Sequence, residues 1–449
     1  MKKIISVLVI ISVVLVFCSS VMYAETAISQ SSDLLKGVQH LTQSTVRIEG
    51  SKTIYIDPIG IEGEPKDADI VFVTHTHGDH FSTSDIKKLL KKDGVIVITA
   101  DGVSQAKKDG ITNIVSVVPN KTYTVKNIKF DTVPDYSINK EFHPKNKWVG
   151  YVINMNNIKY YHAGDTDFIP ELKNIKADVA FLPVGGTYTM TAEEAIKAAN
   201  IIKPKVAVPI HYIDLVGTAD DAQAFVNGLD KKIKGVVLKD LLKGVQHLTN
   251  STIRIQGSKV VYFDPINITG EPKDADYIFI THTHGDHFSI NDIKKLMKKE
   301  TIVVIPQDGI SEAVKQNITN VVTVLPQKSY EIDGLKFKTT NAYNMDSRFH
   351  KKDDNWVGYI ANINKINYYV AGDTELIPEM KDIKTNVAFL PVGGTYTMNA
   401  ADAANIANFI KPLAAVPIHF VDVAGTWDDA NKFVSMLNSS IKGQILKQR

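Results

Sequence analysis

One cysteine, Cys18, is all the thiol this chain of 449 residues contains. That scarcity excludes a disulfide framework, a cysteine-ligated metal site and a cysteine nucleophile in the body of the protein, so any metal centre must use nitrogen and oxygen. Net charge is also nearly absent, with 51 basic against 49 acidic residues. Nothing in that balance points to a nucleic-acid partner. Long apolar runs are missing except at the start, where Lys2 and Lys3 precede an apolar stretch from Ile4 to Phe17. This run falls short of the roughly 20 residues that span a bilayer. Residues 1–24 read as an export signal with cleavage after Ala24, which predicts an extracytoplasmic protein, secreted or periplasmic. The alternatives are a retained anchor and lipid attachment at Cys18, and they confine membrane contact to this segment.

What the chain has in abundance is repetition. Leu34–Thr42 returns verbatim at Leu241–Thr249, 207 residues later, and Ala180–Met190 returns at Ala388–Met398 after 208. The extra residue falls between His350 and Trp356, in a loop. A repeat of this size can bury its own core, unlike a solenoid unit. We therefore expect two whole domains, 33–238 and 240–449, with almost no Gly/Ser/Pro linker. Within a repeat, Thr53–Ile56, Ile70–Thr74, Val95–Thr99, Tyr151–Ile153, Val179–Leu182 and Val206–Pro209 read as buried strands. Ser84–Lys92 reads as a helix, and Thr191 with Glu194 as a capping box. The mixture predicts a layered α/β fold.

Each repeat carries T-H-T-H-G-D-H-F-S, at Thr74–Ser82 and Thr281–Ser289. Three imidazoles and a carboxylate within six residues, directly after an apolar strand, suit zinc and related divalent ions. The candidate ligands are His75, His77, Asp79 and His80, and His282, His284, Asp286 and His287. Further candidates end other apolar strands: Asp165 and Asp373 in A-G-D-T, and His211 and His419 in V-P-I-H.

Together these strings resemble the metallo-β-lactamase superfamily, over nearly all of each repeat. G-D-T-D-F-I-P-E-L, P-V-G-G-T-Y-T-M and P-I-H-Y are most similar to the branch of metal-dependent hydrolases related to ascorbate-6-phosphate lactonase. The resemblance implies two tandem αββα sandwiches with the site along one sheet edge. His75 and His77 would hold a first metal, Asp79, His80 and His211 a second, with Asp165 bridging. His282, His284, Asp286, His287, His419 and Asp373 correspond in the second copy. Asp57 and Asp264 match an early acidic position and are expected to orient metal-bound histidines. The family normally supplies a third His to the first metal, often where this chain has Ser137 and Asn344. His143 and His350, a few residues later, are the expected replacements, or else bases that contact substrate.

Two adjacent divalent metals can hold a water, lower its pKa toward neutrality and polarise the oxygen of the bond it attacks. The expectation is an exported hydrolase using metal-bound hydroxide on a lactone, ester or phosphoester, with Asp79, Asp165, Asp286 and Asp373 in catalytic roles. Zinc, two ions per domain, is favoured because the motif's second position is His where the redox di-iron relatives more often have Glu. Manganese and iron stay open. A small-molecule substrate is the expected partner and no nucleic acid is expected, while oligomeric state is not readable. Two rival readings remain, a non-catalytic metal-binding scaffold and a metallo-nuclease with a basic track. His162, matched by Val370, is read as packing, His40 and His247 as surface or hairpin residues, and Tyr188 and Tyr396 as either substrate contacts or core.

Overall fold

A computed structural model describes residues 33–138, 140–346 and 349–448. The proposed signal segment and Cys18 lie outside the described residues. Two compact units emerge, one comprising the chain up to Gly217 with Ala224–Lys239, the other Thr218–Gln223 with Asp240–Arg449.

In the first unit, strands β1–β6 span Val38–His40, Val46–Glu49, Thr53–Ile56, Ala68–Phe72, Leu90–Thr99 and Ile114–Val117 and form one sheet in sequential order. A second, seven-stranded sheet holds β7–β13, Thr122–Val125, Ile128–Asp135, Trp148–Met155, Ile158–His162, Val179–Pro183, Val206–Ile210 and Lys234–Gly235, also in sequential order. Each sheet opens with antiparallel strands and ends with parallel ones. The parallel strands are linked by helices α1 (Thr83–Leu89), α2 (Ala100–Lys108), α3 (Ala192–Ile202) and α4 (Ala219–Gly228).

Period-two alternation decides the layers. Ile54, Ile56, Ile70 and Phe72 face inward and meet Phe130, Tyr151, Phe181 and Val208 of the other sheet. Tyr55, Val71 and Val73 face outward and pack on Ile86 and Leu89 of α1. The second unit repeats the pattern, with sheets of six and seven strands. Its outer face shows Ala388 and Leu390 against Ala403 and Ala407 of an amphipathic helix, Ala400–Ile410. Both units are αββα sandwiches.

Two sequence-based expectations need correction. The helix expected over Ser84–Lys92 runs from Thr83 to Leu89, and Leu90 already begins β5. Of the surface and hairpin alternatives for His40 and His247 only the hairpin holds: each is buried in an antiparallel strand pair and places Nε2 on the turn carbonyl, that of Gln43 at 2.8 Å or Asn250 at 2.6 Å. The expected box at α3 is present, Thr191 accepting from Glu194 N and Glu194 from Thr191 N. Among the described residues, no helix is long and apolar enough to cross a membrane.

Candidate metal centre

The metal-binding string begins where β4 ends. Five buried residues carry the strand to Phe72, and the chain then turns so that the His80 and Phe81 N–H groups both reach the His77 carbonyl. Ser82 closes the turn by accepting from Asp85 N at the start of α1. Asp165 follows β10, His211 follows β12, and His143 comes from the loop between β8 and β9. Parallel strand ends from both sheets thus deliver ligands to one edge.

Two groups of donors result in each unit. His75, His77 and His143 form one, and Asp79, His80, Asp165 and His211 the other. Within a group, one donor atom of each residue lies within 4.8 Å of all the rest. Asp165 joins the groups, with Oδ2 2.9 Å from His211 Nε2 and 3.6 Å from His143 Nε2, and Oδ1 3.2 Å from His80 Nε2. The second unit gathers His282, His284 and His350, and Asp286, His287, Asp373 and His419. There Asp373 Oδ2 stands 3.1 Å from His419 Nε2 and 3.6 Å from His350 Nε2.

One carboxylate fixes the ring protons in both groups. Asp57 Oδ2 lies 2.9 Å from His80 Nδ1 and accepts from Thr74 Oγ1 at 2.6 Å. Because the Thr74 proton is committed to Asp57, its oxygen accepts from His75 Nδ1, 3.0 Å away. Both rings therefore carry a proton on Nδ1 and turn Nε2 into the site. Asp264 and Thr281 do the same for His287 and His282. Ser137 and Asn344, which lack an imidazole, instead hold the replacement: Ser137 Oγ lies 3.1 Å from His143 Nδ1, and Asn344 Oδ1 bonds His350 Nδ1.

Most of the donor atoms have no partner but one another. His75, His80, His143 and His211 Nε2 and Asp165 Oδ1 are buried without a hydrogen bond, as are their counterparts His282, His287, His350 and His419 Nε2 and Asp373 Oδ1. Leaving so many buried polar atoms unsatisfied is costly unless a cation takes up their lone pairs. The residues present therefore fit two divalent ions per unit.

Electrostatics separate the groups. Burial, reinforced by His80, holds His75 well below its ordinary value, and burial lowers His143 and His350 to about 4. These rings are neutral and ready to ligate. For His80 burial pulls the same way, but Asp165 and Asp57 override it and hold the ring well above its usual range. His211 and His419 are likewise raised to about 9, burial being overcome by Asp165 and Asp373. Burial opposes ionisation of Asp165 too, yet His211 and His80 keep it well below the ordinary carboxylate range. A metal entering the second group displaces protons.

Backbone strain marks the same corner. His211 and His419 sit at φ of 58° and 54°, a left-handed conformation uncommon outside glycine. A side chain at Gly185 or Gly393 would collide with the carbonyl of that histidine, so only glycine admits the approach.

Sequence reasoning missed Trp148 and Trp356. Trp148 packs on His75, His77 and His143 at centroid distances of 5.0, 4.6 and 5.6 Å, and its Nε1 donates to Asp101. The recurrence of a rare residue in W-V-G-Y was the available signal. Asp135, buried behind Asp165 with Oδ2 accepting its N–H at 3.1 Å, was also missed. His162 is a core residue bonded to the Ser44 carbonyl, and Tyr188 and Tyr396 are half-buried.

A family described as beta-lactamase superfamily domain matches residues 37–211 and again 245–419. A UPF0173 metal-dependent hydrolase of Thermus thermophilus is 33% identical over 219 residues, 45% of this chain and 95% of the relative. A counterpart from Thermococcus kodakarensis is 31% identical over 220 residues, 45% of this chain and 96% of the relative. The solved structure of Igni18, a metallo hydrolase of Ignicoccus hospitalis, aligns at 22% identity and a TM-score of 0.39, covering 45% of this chain and 94% of its own.

Proposed function

The chain belongs to the beta-lactamase superfamily, once in each unit, and on that premise we propose that each unit is a metal-dependent hydrolase acting on a carboxylic ester, lactone or phosphoester. The observation that carries this reading is the convergence of orphaned, buried Nε2 atoms on one or two carboxylates at a sheet edge. His75, His77 and His143 would hold one ion and Asp79, His80 and His211 the other, with Asp165 between them. The all-nitrogen and oxygen donor set and the His at the motif's second position support zinc. Two such ions supply Lewis acidity and make a water acidic enough to attack at neutral pH.

The protein's own groups do the rest. Asp57, through Thr74 and His80, keeps one ring of each group in the ligating tautomer. Trp148 walls the first group on one side. Asp79 has a side chain 29% exposed, against 3% for Asp165, so it is the carboxylate that meets incoming water. In this reading its carboxylate takes that water's proton. Hydrolysis then joins the water oxygen to the carbonyl carbon or phosphorus, breaks the bond to the ester oxygen, and returns a proton to the departing oxygen.

The N-terminal basic pair and apolar run support action outside the cytoplasm, and a small-molecule substrate is part of the same proposal. The test is a panel of lactones, carboxylic esters and phosphoesters offered to metal-replete protein. Asp79→Ala with Asp286→Ala abolishes turnover, and each single change leaves part of it. Full metal loading with no turnover of any panel member overturns the reading.

A further inference from the structure

Five positions carry a large, exposed apolar side chain in both units. Scattered singly such residues need no explanation. Three of the five, however, lie on the loops that carry ligands: Ile138 and Met345, Phe142 and Phe349, Leu215 and Val423. Phe142 immediately precedes His143 and is 49% exposed; Phe349 precedes His350 and is 46% exposed. Leu215 and Val423 follow His211 and His419 by four residues.

The two phenylalanines have the same aromatic partner. Phe142 meets Tyr188 edge-on at 4.7 Å and 83°, and Phe349 meets Tyr396 at 4.8 Å and 85°. Each tyrosine belongs to the loop whose first glycine, Gly185 or Gly393, touches the last histidine ligand. The fastenings beneath differ. In the first unit Lys140 Nζ ties the loops, bonding Asp167 Oδ1 at 2.9 Å, the Gly186 carbonyl at 3.2 Å and the Thr189 carbonyl at 2.6 Å. In the second, Asn344 Nδ2 reaches the Tyr396 carbonyl at 2.8 Å. Different polar scaffolds thus hold the same aromatic pair next to a histidine donor in each unit.

Building on the hydrolase reading, we propose that these three positions, with Tyr188 or Tyr396, form an apolar lip that seats the aliphatic or aromatic acyl part of the substrate. The substrate class is then hydrophobic carboxylic esters and lactones rather than small, multiply charged phosphate esters. Ring pairs suit this use, since they offer wide apolar faces with few rotatable bonds to freeze. Hydrolysis of such a substrate yields a carboxylate, which the metal group can retain while its chain lies on the lip.

Calorimetric titration of the zinc-loaded full chain with acetate, butyrate and octanoate tests the lip without requiring turnover. Octanoate is expected to bind at least about tenfold more tightly than acetate, as methylene burial dictates. Phe142→Ser with Phe349→Ser should shrink that ratio to within about threefold, and Leu at both positions should restore most of it. Val118→Ser with Leu325→Ser, exposed apolar positions off the ligand loops, should keep the wild-type ratio. A wild-type ratio near one, or a ratio indifferent to the phenylalanine pair, overturns the lip. Hydrolysis of p-nitrophenyl acetate and octanoate separates the two claims. Turnover with no chain-length dependence removes the lip and keeps the hydrolase, whereas graded binding without turnover of either ester or of any lactone or phosphoester of the panel removes the hydrolase and keeps the lip.

Discussion

Behind the metal groups the two units part company. The first places the carboxylate of Asp135 against the Asp165 N–H, 3.9 Å from His75 Nδ1, where the second has Ala342. The first buries His162 on the Ser44 carbonyl where the second has Val370. Ser137 supports His143, but Asn344 supports His350. The donors themselves do not differ: all seven, and the Asp–Thr pair that sets their tautomers, recur residue for residue. The comparison teaches that donors and orienting carboxylate are what assembly of the site demands. Even a buried carboxyl group behind them is dispensable.

The comparison breaks hardest at Asp57. Asp57→Ala strands His80 Nδ1, Thr74 N and Thr74 Oγ1. It should cost the first unit about 3–5 kcal/mol and about ten to a hundredfold in metal affinity. The second unit should keep its ions, which chelator competition with metal counting would show. Equal loss from both units would deny that each assembles its own site.

A change of pH should move both units alike. His211 and His419 are raised from 6.5 to about 9, so the stability their protons lend the metal-free fold is complete below 6.5 and disappears as pH climbs through about 9. Metal must displace those protons, and its affinity rises across the same window. Between pH 6.5 and 8.5 we expect at least about tenfold tighter zinc binding, measured against a competing chelator. Flat affinity would mean the second group's histidines are neutral before metal arrives.

Asp135 sharpens the contrast. Burial and the nearby Asp165 hold its carboxyl well above the usual 3.8, so the folded unit prefers it protonated. The penalty therefore begins above 3.8 and grows as pH rises toward the folded value. Asp135→Asn should stabilise the metal-free first unit at pH 8 by about 1–3 kcal/mol, and Ala342→Asp should impose a similar loss on the second. Calorimetric unfolding of both variants checks the sign. His162→Val should be the mildest change, about 1 kcal/mol, because it abandons one carbonyl and copies what the second unit already has.

How much of this was legible follows from locality. H-x-H-x-D-H, A-G-D-T and P-I-H each announce a donor at the end of an apolar strand, and the described structure brings all fourteen named donors into four groups. His143 and His350 could be anticipated because the expected third imidazole was missing at Ser137 and Asn344. That these residues would hold the replacement's Nδ1 could not, since the contact depends on how a loop folds back. Trp148 and Asp135 act through space on residues distant in sequence, and apart from the recurrence of W-V-G-Y no local pattern marks them. Strands such as β1, β2, β6, β7 and β8 escape a sequence reading because their exposed faces break the apolar run, as the burial alternation of Ile128–Asp135 illustrates. Burial of His40 was hidden for a related reason: a turn carbonyl satisfies its ring, and sequence does not show that partner.

The central claim is that each unit closes its own binuclear site, and metal counting tests it most directly. Purified full chain, saturated with zinc and stripped of loose ions, should retain about four ions per chain, and Asp165→Ala or Asp373→Ala should each remove about two. Retention of fewer than about one ion by the unmodified chain, or no loss from either variant, would contradict the account.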